Sequence, residues 1–154
     1  MNRTSLFVIV FLALLFLLPP GAPARDDQGA DAAMQGFFTA MINRDSQALL
    51  AFFPQQTTCK LIPYLIGSKT PEAVTNISYG KLKNDFAQKK GLYVFFFEKP
   101  NGWTYNVEFR RGEPWKKRPG NIYMAPESSM GHTYIKWKPE GDKWVVDELA
   151  YVHP

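Results

Sequence analysis

Two adjacent carboxylates, Asp147 and Glu148, stand in a stretch of alternating apolar residues that runs from Lys143 to Val152. Adjacent side chains of a strand face opposite sides, so one of the pair points toward the interior if that strand is half-buried. A carboxylate held in apolar surroundings has a raised pKa and can act as a general base. The commoner situation is a carboxylate on a solvated face or paired with a cross-strand lysine such as Lys136. A second constellation is Glu108, His132 and Tyr134, which converge in a proton-transfer site if their strands are neighbours. His132 follows Gly131 at a strand start, where a surface or loop-edge residue is the ordinary outcome. His153, beside the terminal Pro154, reads as frayed tail. Cys59 with a distant histidine is in principle a nucleophilic pair. No nucleophile signature surrounds it, lone thiols are usually small buried hydrophobes, and an intermolecular disulfide is the remaining alternative.

Two further groups of residues suit binding rather than catalysis. Arg110, Arg111, Lys116, Lys117 and Arg118 set five cations against Glu113 around Trp115, with Pro and Gly on both sides. As an exposed loop this segment can meet anionic headgroups or polysaccharide through its cations while Trp115 sits at the interface; the plainer reading is a solvated loop that keeps the protein soluble. Tyr105, Tyr134 and Trp137, with Glu108 on a polar strand face, are candidates for lining a pocket for a flat apolar ligand, although alternating aromatics are first of all core. Phe95, Phe96 and Phe97 cannot all face one side of a strand. That strand is then covered on both sides, or it presents an apolar patch to a partner subunit.

The setting for these residues starts with the N-terminus. Arg3 precedes an apolar run from Leu6 to Leu18, followed by Pro19-Pro20-Gly21 and Ala22-Pro23-Ala24. This is the pattern of a secretory signal peptide over residues 1–24, too short for the roughly 20 residues of a membrane-spanning helix. The expected mature chain starts at Arg25, is periplasmic or extracellular, and forms a single domain over 25–154. Its formal charge is +3 once Arg3 is removed from the +4 of the whole chain, too mild to imply nucleic acid. A single cysteine excludes an intrachain disulfide, and two scattered histidines make a metal cluster improbable. No cofactor is expected.

Periodicity then supplies the elements. Ala30, Ala33, Met34, Phe37, Phe38, Met41 and Ile42 fall on one helical face. Asp45 is placed to cap a short second helix carrying Leu49, Leu50, Phe52 and Phe53 before Pro54. Leu61-Ile62 and Tyr64-Leu65-Ile66 read as a short strand pair kinked by Pro63, or as a buried turn. Thr70-Pro71-Glu72 reads as one helical turn. Ser78 caps a longer helix with Tyr79, Leu82 and Phe86 on one face, an Asp85–Lys89 pair, and a stop at Lys89-Lys90-Gly91. After Gly91 the period becomes two: Leu92 to Glu98 and Trp103 to Arg110 form one hairpin, Asn121 to Met124 a short strand, and His132 to Lys138 with Lys143 to Val152 a second hairpin around Pro139-Glu140-Gly141-Asp142.

Helices followed by a long antiparallel sheet resemble the NTF2-like superfamily, which includes nuclear transport factor 2, ketosteroid isomerase and SnoaL-type cyclases. The resemblance spans about residues 28–152. Its carriers are the opening pattern from Ala33 to Asp45 and the closing Trp137-Lys138-Pro139-Glu140-Gly141-Asp142-Lys143-Trp144-Val145-Val146-Asp147. It implies an α+β cone, N-terminal helices packed in a curved antiparallel sheet, with a pocket at the open end and homodimerisation through the sheet face. No Asp aligns with the proton-shuttling Asp of the isomerase, and the paired histidines of a dehydratase are not found. The expectation is therefore a non-catalytic domain that binds a small apolar ligand or a protein. The alternative is an acid–base isomerase or dehydratase acting on a cyclic or aromatic substrate.

Overall fold

The computed structural model describes residues 25–98, 114–126 and 132–153. The leader, the strand expected at Trp103 to Arg110 and the residues Tyr105, Glu108, Arg110 and Arg111 lie outside the described residues. The elements are α1 (Arg25–Ile42), α2 (Ser46–Leu50), β1 (Thr58–Leu65), β2 (Thr75–Ser78), α3 (Tyr79–Ala87), α4 (Leu92–Phe97), β3 (Lys116–Arg118), β4 (Ile122–Met124), β5 (Tyr134–Glu140) and β6 (Lys143–His153). The architecture is α+β, with one six-stranded sheet in the order β2-β1-β6-β5-β4-β3.

The first helix starts earlier than its apolar period suggests, at Arg25, and buries Ala30, Met34, Phe37, Ala40 and Met41. It stops because Arg44 takes a left-handed conformation at φ 55 and Asp45 turns its side chain to the next helix, accepting from the Gln47 and Ala48 amides. Arg44 then donates from Nη2 to the Phe97 carbonyl at 2.9 Å, tying this corner to the end of α4.

The sheet is mixed, which corrects the antiparallel expectation. β1 runs parallel to β6 from Lys60–Glu148 to Leu65–His153, while β2 is antiparallel to β1 only from Thr58 to Leu61. Pro63 is tolerated inside β1 because it lies past the last residue paired with β2, so its missing N–H breaks no ladder there. Within segment 55–68, Thr58–Leu65 is thus one continuous strand rather than a kinked pair or a turn. Thr70-Pro71-Glu72 forms no helix. The Glu72 amide donates to the Pro63 carbonyl and its carboxylate meets His153 Nε2 at 2.8 Å, which makes His153 the last residue of β6 rather than frayed tail.

A second correction concerns Leu92 to Phe97, which is helix and not strand. Ser78 caps α3 as expected, accepting from the Lys81 amide, but Asp85 pairs with Lys81 at 2.8 Å instead of with Lys89. The same Asp85 Oδ2 accepts the Leu92 amide at 3.1 Å across the turn at Gly91. One carboxylate so fastens the helix that contains it and starts the next. Helical spacing lets Leu92, Phe96 and Phe97 all be buried, so the three phenylalanines no longer argue for an apolar outer patch.

The core lies between the helices and one face of the sheet. At its centre the Phe37 ring sits 5.8 Å from Trp137, 6.0 Å from Phe52, 6.2 Å from Phe53 and 6.3 Å from Phe96. Trp137 is 2% exposed and belongs to this core, which corrects its expected role as a pocket residue. Cys59 is also fully buried, and burial pushes its thiol up to about 12. That places it beyond reach of an intermolecular disulfide in the folded chain. The expected result is that a disulfide reagent such as Ellman's labels Cys59 only at the rate at which the protein unfolds; rapid stoichiometric labelling under native conditions contradicts the buried placement.

Candidate functional site

The two sheet carboxylates come first. β5 and β6 slip register between Lys136 and Trp137, which pair with Glu148 and Val146, leaving Asp147 as an extra residue. This bulge interrupts strict alternation. Asp147 and Glu148 consequently reach the same ammonium, Lys136 Nζ, at 3.5 and 3.4 Å. Lys138 adds a contact to Asp147 at 3.2 Å and Lys60 one to Glu148 at 3.3 Å. Both lie on the face away from the core residues Ile135, Val146 and Leu149. Neither carboxylate enters the aromatic interior.

Tyr134 donates its hydroxyl to Glu148 Oε2 at 3.2 Å; burial, and then the neighbouring Glu148 charge, push its phenol up from the usual value, so it stays protonated. Burial works against the charge on Lys136, but Glu148 and Asp147 outweigh it and raise its pKa. His132 stacks flat on Tyr64, ring centres 4.2 Å apart and 6° from parallel. Among the described residues no hydrogen bond joins His132 to a carboxylate. Among the described residues the arrangement is an ion-paired, hydrogen-bonded cluster of Asp147, Glu148, Lys136, Lys138, Lys60 and Tyr134.

The basic segment is not wholly a loop. Lys116, Lys117 and Arg118 form the strand β3, antiparallel to β4 and last in the order of the described strands. Trp115 is half-buried against the core rather than held out toward an interface. Lys117 bonds Asp31 Oδ1 at 2.9 Å.

A groove opens beside this strand with a volume of about 680 Å³. Its helical wall is Asp31, Met34, Gln35, Phe38 and Thr39 of α1; facing them are Pro114, Trp115 and Tyr123. Asp31, Met34, Gln35 and Phe38 have the spacing of a single helical stripe, adjacent to the stripe that Phe37 and Met41 bury. The sequence pattern places Met34 and Phe38 on the same apolar face as Phe37 and Met41 and does not single out Asp31. In the groove wall the Tyr123 hydroxyl donates a hydrogen bond to Asp31 Oδ1. Lys117 also lies 5.8 Å from the centre of the Tyr123 ring. The Tyr123 bond foremost, and then Lys117, hold the Asp31 carboxyl below its usual 3.8.

Depressed carboxylates set the acid limit of the fold. Burial raises Asp85, but Lys81, the Leu92 amide and Lys90 outweigh it and leave it below 3.8; Glu140 is also raised by burial, yet the Gln55 and Thr57 bonds bring it below its usual 4.5. A folded-state pKa below the unfolded one gives stability that is fully present above the unfolded value and lost as pH falls through the folded one. Urea midpoints should therefore be flat between about pH 5 and 8 and fall below about pH 4, with Asp85→Asn flattening the acid decline most because Asp85 is the buried member. A decline that begins near neutrality contradicts this assignment.

Among the described residues no group of His, Cys, Asp and Glu is arranged to hold a metal ion, and no helix is long and apolar enough to cross a membrane. In comparisons with known proteins, no family model matches the chain and no curated protein matches it either.

Proposed function

We propose that the chain is an exported, single-domain, non-catalytic binding protein of the NTF2-like kind, whose groove between α1 and the β3–β4 end of the sheet receives a small, flat, largely apolar molecule. The observation that carries the reading is the groove: about 680 Å³ walled by Met34, Phe38, Pro114 and Trp115, with polar groups gathered around Asp31. Small-molecule sites are typically clefts of roughly 300–1,000 Å³ with apolar walls and a few placed polar groups. The fold part is supported by the order of elements, a helical pair, the β1–β2 addition beside the last strand, a second helical pair and a meander ending in the longest strand. Export is supported by the leader pattern of residues 1–24. Homodimerisation through the sheet face is part of the same reading and rests on the resemblance. The ion pairs that Asp147 and Glu148 make with lysines support the binding reading over the enzymatic alternative.

The test is binding of the neutral fluorescent apolar probe N-phenyl-1-naphthylamine to the mature, cooperatively folded protein. Phe38→Glu puts a charge into the apolar wall and should weaken binding about tenfold or more at unchanged secondary structure. The double variant Asp147→Asn, Glu148→Gln should bind as the wild type does. Undiminished binding by Phe38→Glu, or loss in the double variant, overturns the assignment of the groove.

A further inference from the structure

We infer that the groove selects a neutral ligand carrying one hydrogen-bond donor, a hydroxyl or an N–H, which Asp31 accepts through its unused oxygen. This inference rests on the groove being the ligand site and names the class of ligand it takes. Both protein donors to Asp31, the Tyr123 hydroxyl and Lys117 Nζ, meet the same atom, Oδ1. Oδ2 has no donor among the described residues. Asp31 lines the groove and its side chain is 47% exposed, so a ligand can reach it. A carboxylate has about four acceptor positions, and the two donors on Oδ1 fix the group without occupying the other oxygen.

The charges decide between donor classes. Among the described residues that line the groove or bond to its wall, Asp31 and Lys117 offset one another as a pair at 2.9 Å. A cation on Oδ2 would approach the Lys117 ammonium, and an anion would face the carboxylate. A neutral donor avoids both penalties while gaining a charge-assisted bond. The apolar body of the ligand would lie along Met34, Phe38 and Trp115.

The experiment compares β-naphthol with β-naphthyl methyl ether, which has the same flat body and no donor, by equilibrium dialysis against the mature protein. β-Naphthol should bind about tenfold more tightly, the step that about 1.4 kcal/mol supplies. In Asp31→Ala, which is favourable for a helix, the ratio should fall to about one. Lys117→Met keeps Asp31 and should preserve the preference, which guards against a local disturbance by the alanine. Equal binding of the two probes to the wild type, or a preference that survives Asp31→Ala, overturns the inference and leaves the groove reading standing. Binding of neither probe overturns both. Tighter binding of β-naphthylmethylamine than of β-naphthol overturns neutrality and makes the site a cation receptor.

Discussion

Phe37→Ala should cost about 3–5 kcal/mol, the range for removing a large side chain from a well-packed core. Phe37 is fully buried, and its ring touches side chains from three separate parts of the chain: Phe52 and Phe53 after α2, Phe96 of α4 and Trp137 of β5. No single neighbour can collapse into the space without leaving the others. Phe37→Leu keeps much of the volume and should cost well under half as much. The check is urea unfolding of both variants with a common slope. A loss below about 1.5 kcal/mol for the alanine would mean that these elements do not share one core. Against a total stability of roughly 5–15 kcal/mol, the expected loss takes the domain close to unfolding.

Gly91→Val should be nearly as damaging, for a different reason. Gly91 has φ 51 and ψ −112, a region that side-chain-bearing L residues avoid. A Cβ there would also lie 2.5 Å from Asp85 Oδ2. That oxygen cannot swing away cheaply, since it binds both Lys81 Nζ and the Leu92 amide. Backbone strain together with loss of the cap is expected to cost about 3 kcal/mol. A double-mutant cycle separates the two parts: in an Asp85→Ala background Gly91→Ala should cost less than in the wild type, because the obstructed carboxylate is gone. Additive costs would contradict the proposed contact.

The same turn shows where the sequence stopped being readable. The run Leu92-Tyr93-Val94-Phe95-Phe96-Phe97 is rich in residues that favour strands, and six apolar residues carry no period that distinguishes strand from helix. What makes it helical is a carboxylate from the preceding helix meeting the Leu92 amide, a tertiary fact. Where the determinants are local, the reading from sequence and the structure coincide: Asp45 and Ser78 are caps, and Pro139-Glu140-Gly141-Asp142 marks the turn between β5 and β6. The parallel pairing of β1 with β6 joins residues more than eighty positions apart, such as Lys60 and Glu148, and no periodicity encodes a partner at that distance. Bulges are similarly silent, so alternation assigned Asp147 and Glu148 to opposite faces.

The groove was the least legible feature. Asp31, Trp115 and Tyr123 come from opposite ends of the described chain, and Asp31 read alone is an ordinary solvent-facing carboxylate on a helix. Only when β4 brings Tyr123 beside it does a polar group in the wall of an apolar trough emerge. Trp115 had a readable composition but an ambiguous setting: the cations beside it suggested a wet loop, whereas the chain folds β3 against β4 and turns the indole inward. By contrast the aromatic pair Tyr64 and His132, also distant in sequence, is stacked ring on ring.

The measurement that bears most directly on the central claim is an amide NMR map of the isotopically labelled mature protein titrated with the neutral probe N-phenyl-1-naphthylamine. The account predicts that the shifts concentrate around Asp31, Met34, Phe38, Thr39, Trp115 and Tyr123. Shifts centred instead on Tyr64, His132 and Tyr134 would place binding on the outer sheet face and contradict the assignment of the groove.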